Sequence, residues 1–188
     1  GVNYRIRFEY FQEGGGAAAS FTWKRKNETR DLFIEHLNKA DMIVACFGHS
    51  SDSEAEGGDR SFFLPEADSQ LITRIAKCKK PIIGVVNAGG NIGMQSWEPS
   101  LKGLLWGWYA GQEGGHAIAD VLFGKVNPSG KLPMTFEKKW EDNPAYNSYH
   151  DPDGDKHVKY TEGIYIGYRG YDKLGRDVQY PFGYGLSY

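Results

Sequence analysis

Residues 81–90 read PIIGVVNAGG: six residues dominated by branched aliphatics, closed by a polar, glycine-rich turn. A short continuous apolar run without polar alternation is the signature of a strand buried on both faces, the habit of parallel sheets. Two further runs share the pattern, MIVACFG at 42–48 and GLLWGW at 103–108. Helical patterns lie between and around them. ETRDLFIEHLNK at 28–39 carries Leu32, Phe33 and Leu37 near helical spacing. Residues 65–79 open on Pro65, place Glu66 and Asp68 early and Lys77 and Lys79 late, and carry Leu71, Ile72 and Ile75 as an apolar stripe. That charge order complements the helix dipole, and proline suits a first helical turn. Residues 113–123, with HAIADVLF as the body, predict a third helix, and KLPMTF at 131–136 a fourth strand, edge or irregular because of Pro133. The order α–β–α–β–loop–β–α–β predicts an α/β fold: a largely parallel sheet with helices on both faces, a flavodoxin-like sandwich. Ligands of such sheets gather at the carboxyl ends of the strands, here the loops 48–63 and 87–97 and the turn 109–112.

The two ends differ from this middle. In VNYRIRFEY, Val2, Tyr4, Ile6, Phe8 and Tyr10 alternate with polar residues, and after the turn QEGGGA, Phe21 and Trp23 share one face. Residues 1–26 therefore predict a β-hairpin, and a lone hairpin is marginal in water, so it reads as part of a larger β-domain. The sequence opens at Gly1 on this strand pattern with no basic-then-apolar leader, as expected of a fragment of a longer chain. Residues 137–188 are rich in Tyr, Phe and Gly with little periodicity, and are expected to wrap the domain in ordered form rather than stay disordered.

Composition narrows the function. The 188 residues are 40% hydrophobic, 24% charged and 14% aromatic, with 22 basic and 24 acidic residues and a formal charge of −2. A near-balanced charge offers nothing to nucleic acid or to an anionic membrane surface. No apolar run approaches the roughly 20 residues of a membrane helix. Cys46 and Cys78 are too few for a disulfide scaffold and are expected to be free, packed thiols. The five histidines show no pairing at metal-ligand spacing. Asp151, Asp153 and Asp155 imitate the opening of a calcium loop, but no Glu closes it, and a solvated turn is expected. No phosphate loop and no nucleophile elbow is present, so the expectation is no metal and no cofactor. Trp97, Trp106 and Trp108 offer sugar platforms in principle, but core or interface packing is the expectation, because Trp106 and Trp108 lie in or beside a buried strand.

One loop stands out. DSEAEGGDR at 52–60 sets Asp52, Glu54, Glu56, Asp59 and Arg60 in nine residues beside two glycines, directly after a strand end. Crowded carboxylates raise one another's pKa, as general acid catalysis requires. On spacing alone, a flexible, solvated acidic loop is the favoured reading.

From about Ala40 to Tyr188 the sequence resembles the second, α/β domain of glycoside hydrolase family 3, the β-glucosidases, β-xylosidases and their relatives. The resemblance rests on AEGGDR at 55–60, Leu64-Pro65, NAGG at 87–90 and WYAGQEGGHAIADVLFGKVNPSGKLPMTF at 108–136. It continues through DNPAY at 142–146, YTEGIYIGYRGYD at 160–172 and PFGYGLSY at 181–188. It implies a retaining exo-β-glycosidase in which a (β/α)8 barrel supplies the nucleophilic Asp and this domain supplies the general acid/base, with no metal needed. Carried over, the acid/base is Glu56, with Glu54 as rival, and Asp59 and Arg60 fix the loop by pairing. It further implies a chain inactive alone for want of the barrel, β-linked oligosaccharides or aryl glycosides as substrate, and a periplasmic or secreted enzyme. Glu113, opening a helix in GQEGG, suits structure better than acid catalysis. Residues 1–24 resemble the last strands of the protective-antigen-like carbohydrate-binding sandwich inserted in some members; an ordinary extra hairpin of the α/β domain is the alternative. If an insertion ends there, the sheet lacks the strands that precede it. The chain departs from the family pattern at His49-Ser50 and at Gly89-Gly90-Asn91, where many relatives have Gly-Gly-Pro. A non-catalytic carbohydrate-binding module is the competing reading, and it makes Glu56 dispensable.

Overall fold

A computed structural model describes residues 32–151 and 154–188. The hairpin expected over 1–26 and the start of the first helix lie outside the described residues. Three parallel strands, β1 (Ile43–Gly48), β2 (Ile82–Asn87) and β3 (Gly103–Trp106), form a sheet in the order β1-β2-β3. Each agrees with its apolar run to within two residues. Helix α1 (Leu32–Lys39) precedes β1, α2 (Glu66–Ala76) joins β1 to β2, and α3 (Gly114–Leu122) follows β3. Pro65 stands at the N-cap of α2 as its position implied. The fold is α/β, as the alternation of elements requires.

β2 is central, and Val85 and Val86 are fully buried. Ile72 and Ile75 of α2 join Ile43, Phe47, Ile82, Ile92, Met94 and Trp97 in one core, with Ile34 and Leu37 of α1 packed against it. Phe47 and Trp97 meet edge to face at 5.1 Å, and Trp97 is 4% exposed, which makes it a core residue. Trp106 and Trp108 are half-buried against Phe136, at 4.7 and 6.2 Å between ring centroids.

Three expectations are corrected. β1 is not buried on both faces: Ile43, Ala45 and Phe47 point inward, whereas Val44 is 49% exposed and Cys46 is exposed. Cys78 is a packed thiol and Cys46 is not. The face that carries Val44 and Cys46 is left uncovered among the described residues. KLPMTF does not add a fourth parallel strand. Pro133 removes a ladder donor, Leu132 instead bonds Tyr184 and Gly183 of the carboxyl-terminal stretch, and the strand β4 (Phe136–Glu137) pairs antiparallel with β5 (Val178–Tyr180) in a separate two-stranded sheet. The described residues of the segment 137–188 include α4 (Tyr168–Leu174), which the sequence reading did not expect. Seven residues with a glycine at the third position give almost no periodic signal. Gly170 sits there because a Cβ would lie 2.4 Å from the Tyr165 carbonyl oxygen and 2.5 Å from Pro144 Cγ.

Candidate active site

The carboxyl ends of β1, β2 and β3 carry three loops that meet. The first leaves β1 at Gly48, whose φ of +144° and whose contact with Asn87 admit no side chain: a Cβ would stand 2.0 Å from the Asn87 carbonyl oxygen. Gly48 donates its amide to Asp68 Oδ2 at 3.0 Å, so the first turn of α2 receives the strand end, and His49 donates its amide to the Asn87 carbonyl at 2.8 Å. The chain then makes a tight turn in which Ser53 and Glu54 both donate their amides to the Ser50 carbonyl, at 2.9 and 2.8 Å.

That turn aims Glu54 at the second loop. Glu54 Oε2 accepts the amide of Gly89 at 3.1 Å and the hydroxyl of Tyr109, and Oε1 accepts Arg60 Nε at 3.1 Å. Arg60 also donates Nη2 to the Asn91 carbonyl at 2.5 Å and Nη1 to the Ser61 carbonyl at 3.1 Å. The side chains of Glu54 and Arg60 are 21% and 19% exposed, so this is a half-buried, fully engaged ion pair. Burial pushes the Glu54 carboxyl up, but the hydrogen bonds from Tyr109 and Gly89 and the charge of Arg60 outweigh it, and the net direction is below the ordinary value. Burial first, then the hydrogen bond and charge of Glu54, push the Tyr109 phenol up to about 12. Asn91 extends the network inward. It is 3% exposed, and its Nδ2 donates to both the carbonyl and Oε2 of the buried Glu137, each at 3.0 Å.

Glu56 is placed differently. It is exposed, follows the held Glu54 by two positions, precedes Gly57 at φ +77°, and makes no hydrogen bond or ion pair among the described residues. Asp59 accepts the hydroxyl of Tyr149 at 2.7 Å, which brings the third region, 137–188, to the same loop. Arg60 thus engages Glu54, and Asp59 engages Tyr149. Glu113 lies apart, exposed and paired with His116 at 2.8 Å. Sequence reasoning missed Tyr109 and Tyr149. Tyr109 was within reach of it, since the turn 109–112 was expected among the ligand-facing loops. Tyr149 lies in a stretch with no regular pattern, and nothing local announces its partner.

Residues 8–168 match the family model for the glycosyl hydrolase family 3 C-terminal domain. The chain belongs to glycosyl hydrolase family 3. Among curated relatives, probable beta-glucosidase K of Emericella nidulans is 44% identical over 156 residues, covering 82% of this chain and 18% of that protein. The crystal structure of beta-glucosidase from Kluyveromyces marxianus in complex with glucose is similar at 39% identity and a TM-score of 0.76, over 82% of this chain and 18% of that one. The Bifidobacterium adolescentis family 3 beta-glucosidase aligns with a TM-score of 0.78 at 37% identity, over 87% of this chain and 25% of that one. The chain spans 18–24% of the length of the first curated relatives it matches. The family 3 domain seen here therefore corresponds to a minor part of proteins several times longer. Among the described residues no three His, Cys, Asp or Glu side chains are grouped to hold a metal ion, and no helix is long and apolar enough to cross a membrane.

Proposed function

We propose that this domain supplies the general acid/base of a retaining exo-β-glycosidase of the β-glucosidase or β-xylosidase type, and that Glu56 is that group. The observation that carries the assignment is the contrast between the two neighbouring carboxylates. Glu54 is held ionised by three donors, and a carboxyl in that state is a poor proton donor at neutral pH. Glu56, on a glycine-flanked loop tip at a strand's carboxyl end, is unengaged and projects outward. Relatives named beta-glucosidase, one of them crystallised with glucose, support terminal β-linked sugars as substrate class.

In this reading a carboxylate from a barrel domain of the same enzyme attacks C1. The C1–O bond breaks as Glu56 gives its proton to the departing oxygen. Glu56, now a carboxylate, takes a proton from water, which attacks C1 and releases the barrel carboxylate, with net retention. The domain alone then lacks the nucleophile and does not turn over. Residues 1–26 would be the end of an inserted carbohydrate-binding sandwich, residues 27–188 the α/β domain, and the enzyme periplasmic or secreted. In the full-length enzyme, Glu56→Ala is expected to lose kcat/KM on β-glycosides with poor leaving groups and to retain it on dinitrophenyl glycosides, which depart without a proton. Equal behaviour of wild type and variant on both would overturn the assignment and favour a carbohydrate-binding role.

A further inference from the structure

Tyr109 belongs to no part of the acidic motif, yet its hydroxyl reaches the Glu54 carboxylate from 55 residues away. The backbone is bent to bring it there. Trp108, one residue earlier, adopts φ +52°, a left-handed conformation that a bulky residue takes only when its surroundings impose it. What imposes it is in place: Asn87 Nδ2 donates to the Trp108 carbonyl at 3.1 Å, and the Trp108 ring packs on Phe136 and Trp106. Asn87, Gly89 and Asn91 of one turn thus hold Trp108, Glu54 and Arg60 respectively. Glu54, before Glu56 in the sequence, and Arg60, after it, tie the acid loop to this turn, and Asp59 adds a bond to Tyr149. The Glu54–Arg60 ion pair thus brackets the segment 55–59, and Tyr109 adds a hydrogen bond to its carboxylate from outside.

We propose that Tyr109 is a positioning residue for proton delivery: by holding Glu54, it fixes the base of the loop that carries Glu56. The inference rests on the assignment of Glu56 as acid/base. A general acid displaced by about 1 Å loses on the order of 100-fold in rate, so loosening the base of its loop is read at the step that needs the proton.

The test uses the full-length enzyme and three variants, Tyr109→Phe, Glu54→Ala and both together, with Glu56→Ala beside them. Tyr109→Phe is expected to lower kcat/KM on poor-leaving-group β-glycosides by on the order of 10- to 100-fold and to leave dinitrophenyl glycosides nearly unchanged. The double variant should fall no further than the worse single one, because Tyr109 acts through the Glu54 carboxylate. Equal losses on both substrate classes would show a merely structural role and overturn the proposal, as would no loss, or losses that add. The Glu56→Ala arm separates the two claims. If it shows the leaving-group dependence and Tyr109→Phe does not, only the positioning role fails. If Glu56→Ala shows none, the acid assignment fails and takes the positioning role with it.

Discussion

Gly89 donates its amide to Glu54 Oε2 at 3.1 Å, and a side chain at 89 would require the carboxylate to shift: a Cβ there would lie 2.6 Å from Glu54 Oε1 and 3.2 Å from Tyr109 Cε2. At Gly90 a Cβ would lie 2.7 Å from Arg60 Nη2. The two glycines of the NAGG turn are thus the space into which the ion pair of the acid loop fits.

Gly89→Ala should therefore force Glu54 away from at least one of its partners. Overpacking of this kind costs about 1–3 kcal/mol. Denaturant unfolding should show that loss, together with reduced kcat/KM on poor leaving groups. A variant matching wild type in both would mean that the loop adapts without the contact.

Asn91 and Glu137 give a contrasting case. Asn91→Ala removes one side-chain donor of a buried carboxylate that Asn143 also serves, a loss of about 1–3 kcal/mol, but keeps the backbone carbonyl that Arg60 uses. Stability should fall while the preference among leaving groups stays as in wild type. A changed preference would place Asn91 in the acid machinery.

Phe136 is 1% exposed and lies edge to face with Trp106 at 4.7 Å. Phe136→Ala should cost about 3–5 kcal/mol in denaturant unfolding. A loss below about 1 kcal/mol would mean that the carboxyl-terminal segment does not complete the core.

His49 makes stability depend on pH. It is 6% exposed, its Nε2 has no partner among the described residues, and Nδ1 meets Ser53 Oγ at 3.0 Å. Burial, then the charge of Arg60, lower its pKa from 6.5 against the opposing pull of Glu54 and Asp68. The unfolded chain thus takes up a proton more readily than the folded one, and this contribution to stability is whole above pH 6.5 and declines as pH falls below it. Glu54, also held low, contributes in the same direction only below its ordinary value of 4.5. Unfolding midpoints between about pH 7.5 and about pH 5 should drop in wild type and drop less in His49→Gln; identical slopes would contradict the account.

The parallel sheet was legible because buried strands need uninterrupted apolar runs, and PIIGVV could hardly be anything else. Pro65 and the acids after it announced α2 for an equally local reason. The two-sided burial expected of MIVACFG failed, because a run of apolar residues does not say whether a neighbouring element covers the second face. KLPMTF failed as a fourth parallel strand because its partner, Val178–Tyr180, comes from a stretch with no period of its own. In the site, the acidic motif was visible, but composition and spacing alone did not separate Glu54 from Glu56; only the family resemblance favoured Glu56. That Gly89, Tyr109 and Arg60 converge on Glu54 and leave Glu56 unengaged needed the tertiary structure, because those partners are distant in sequence or say nothing locally of their target.

The most direct test of Glu56 as the acid/base is azide rescue of Glu56→Ala in the full-length enzyme, with the product's anomeric configuration read by proton NMR. The account predicts that azide restores turnover of an activated β-glycoside and yields the β-glycosyl azide, because a small anion enters the space left by the carboxylate and attacks the glycosyl-enzyme. An α-glycosyl azide, or rescue in Glu54→Ala but not in Glu56→Ala, would contradict it.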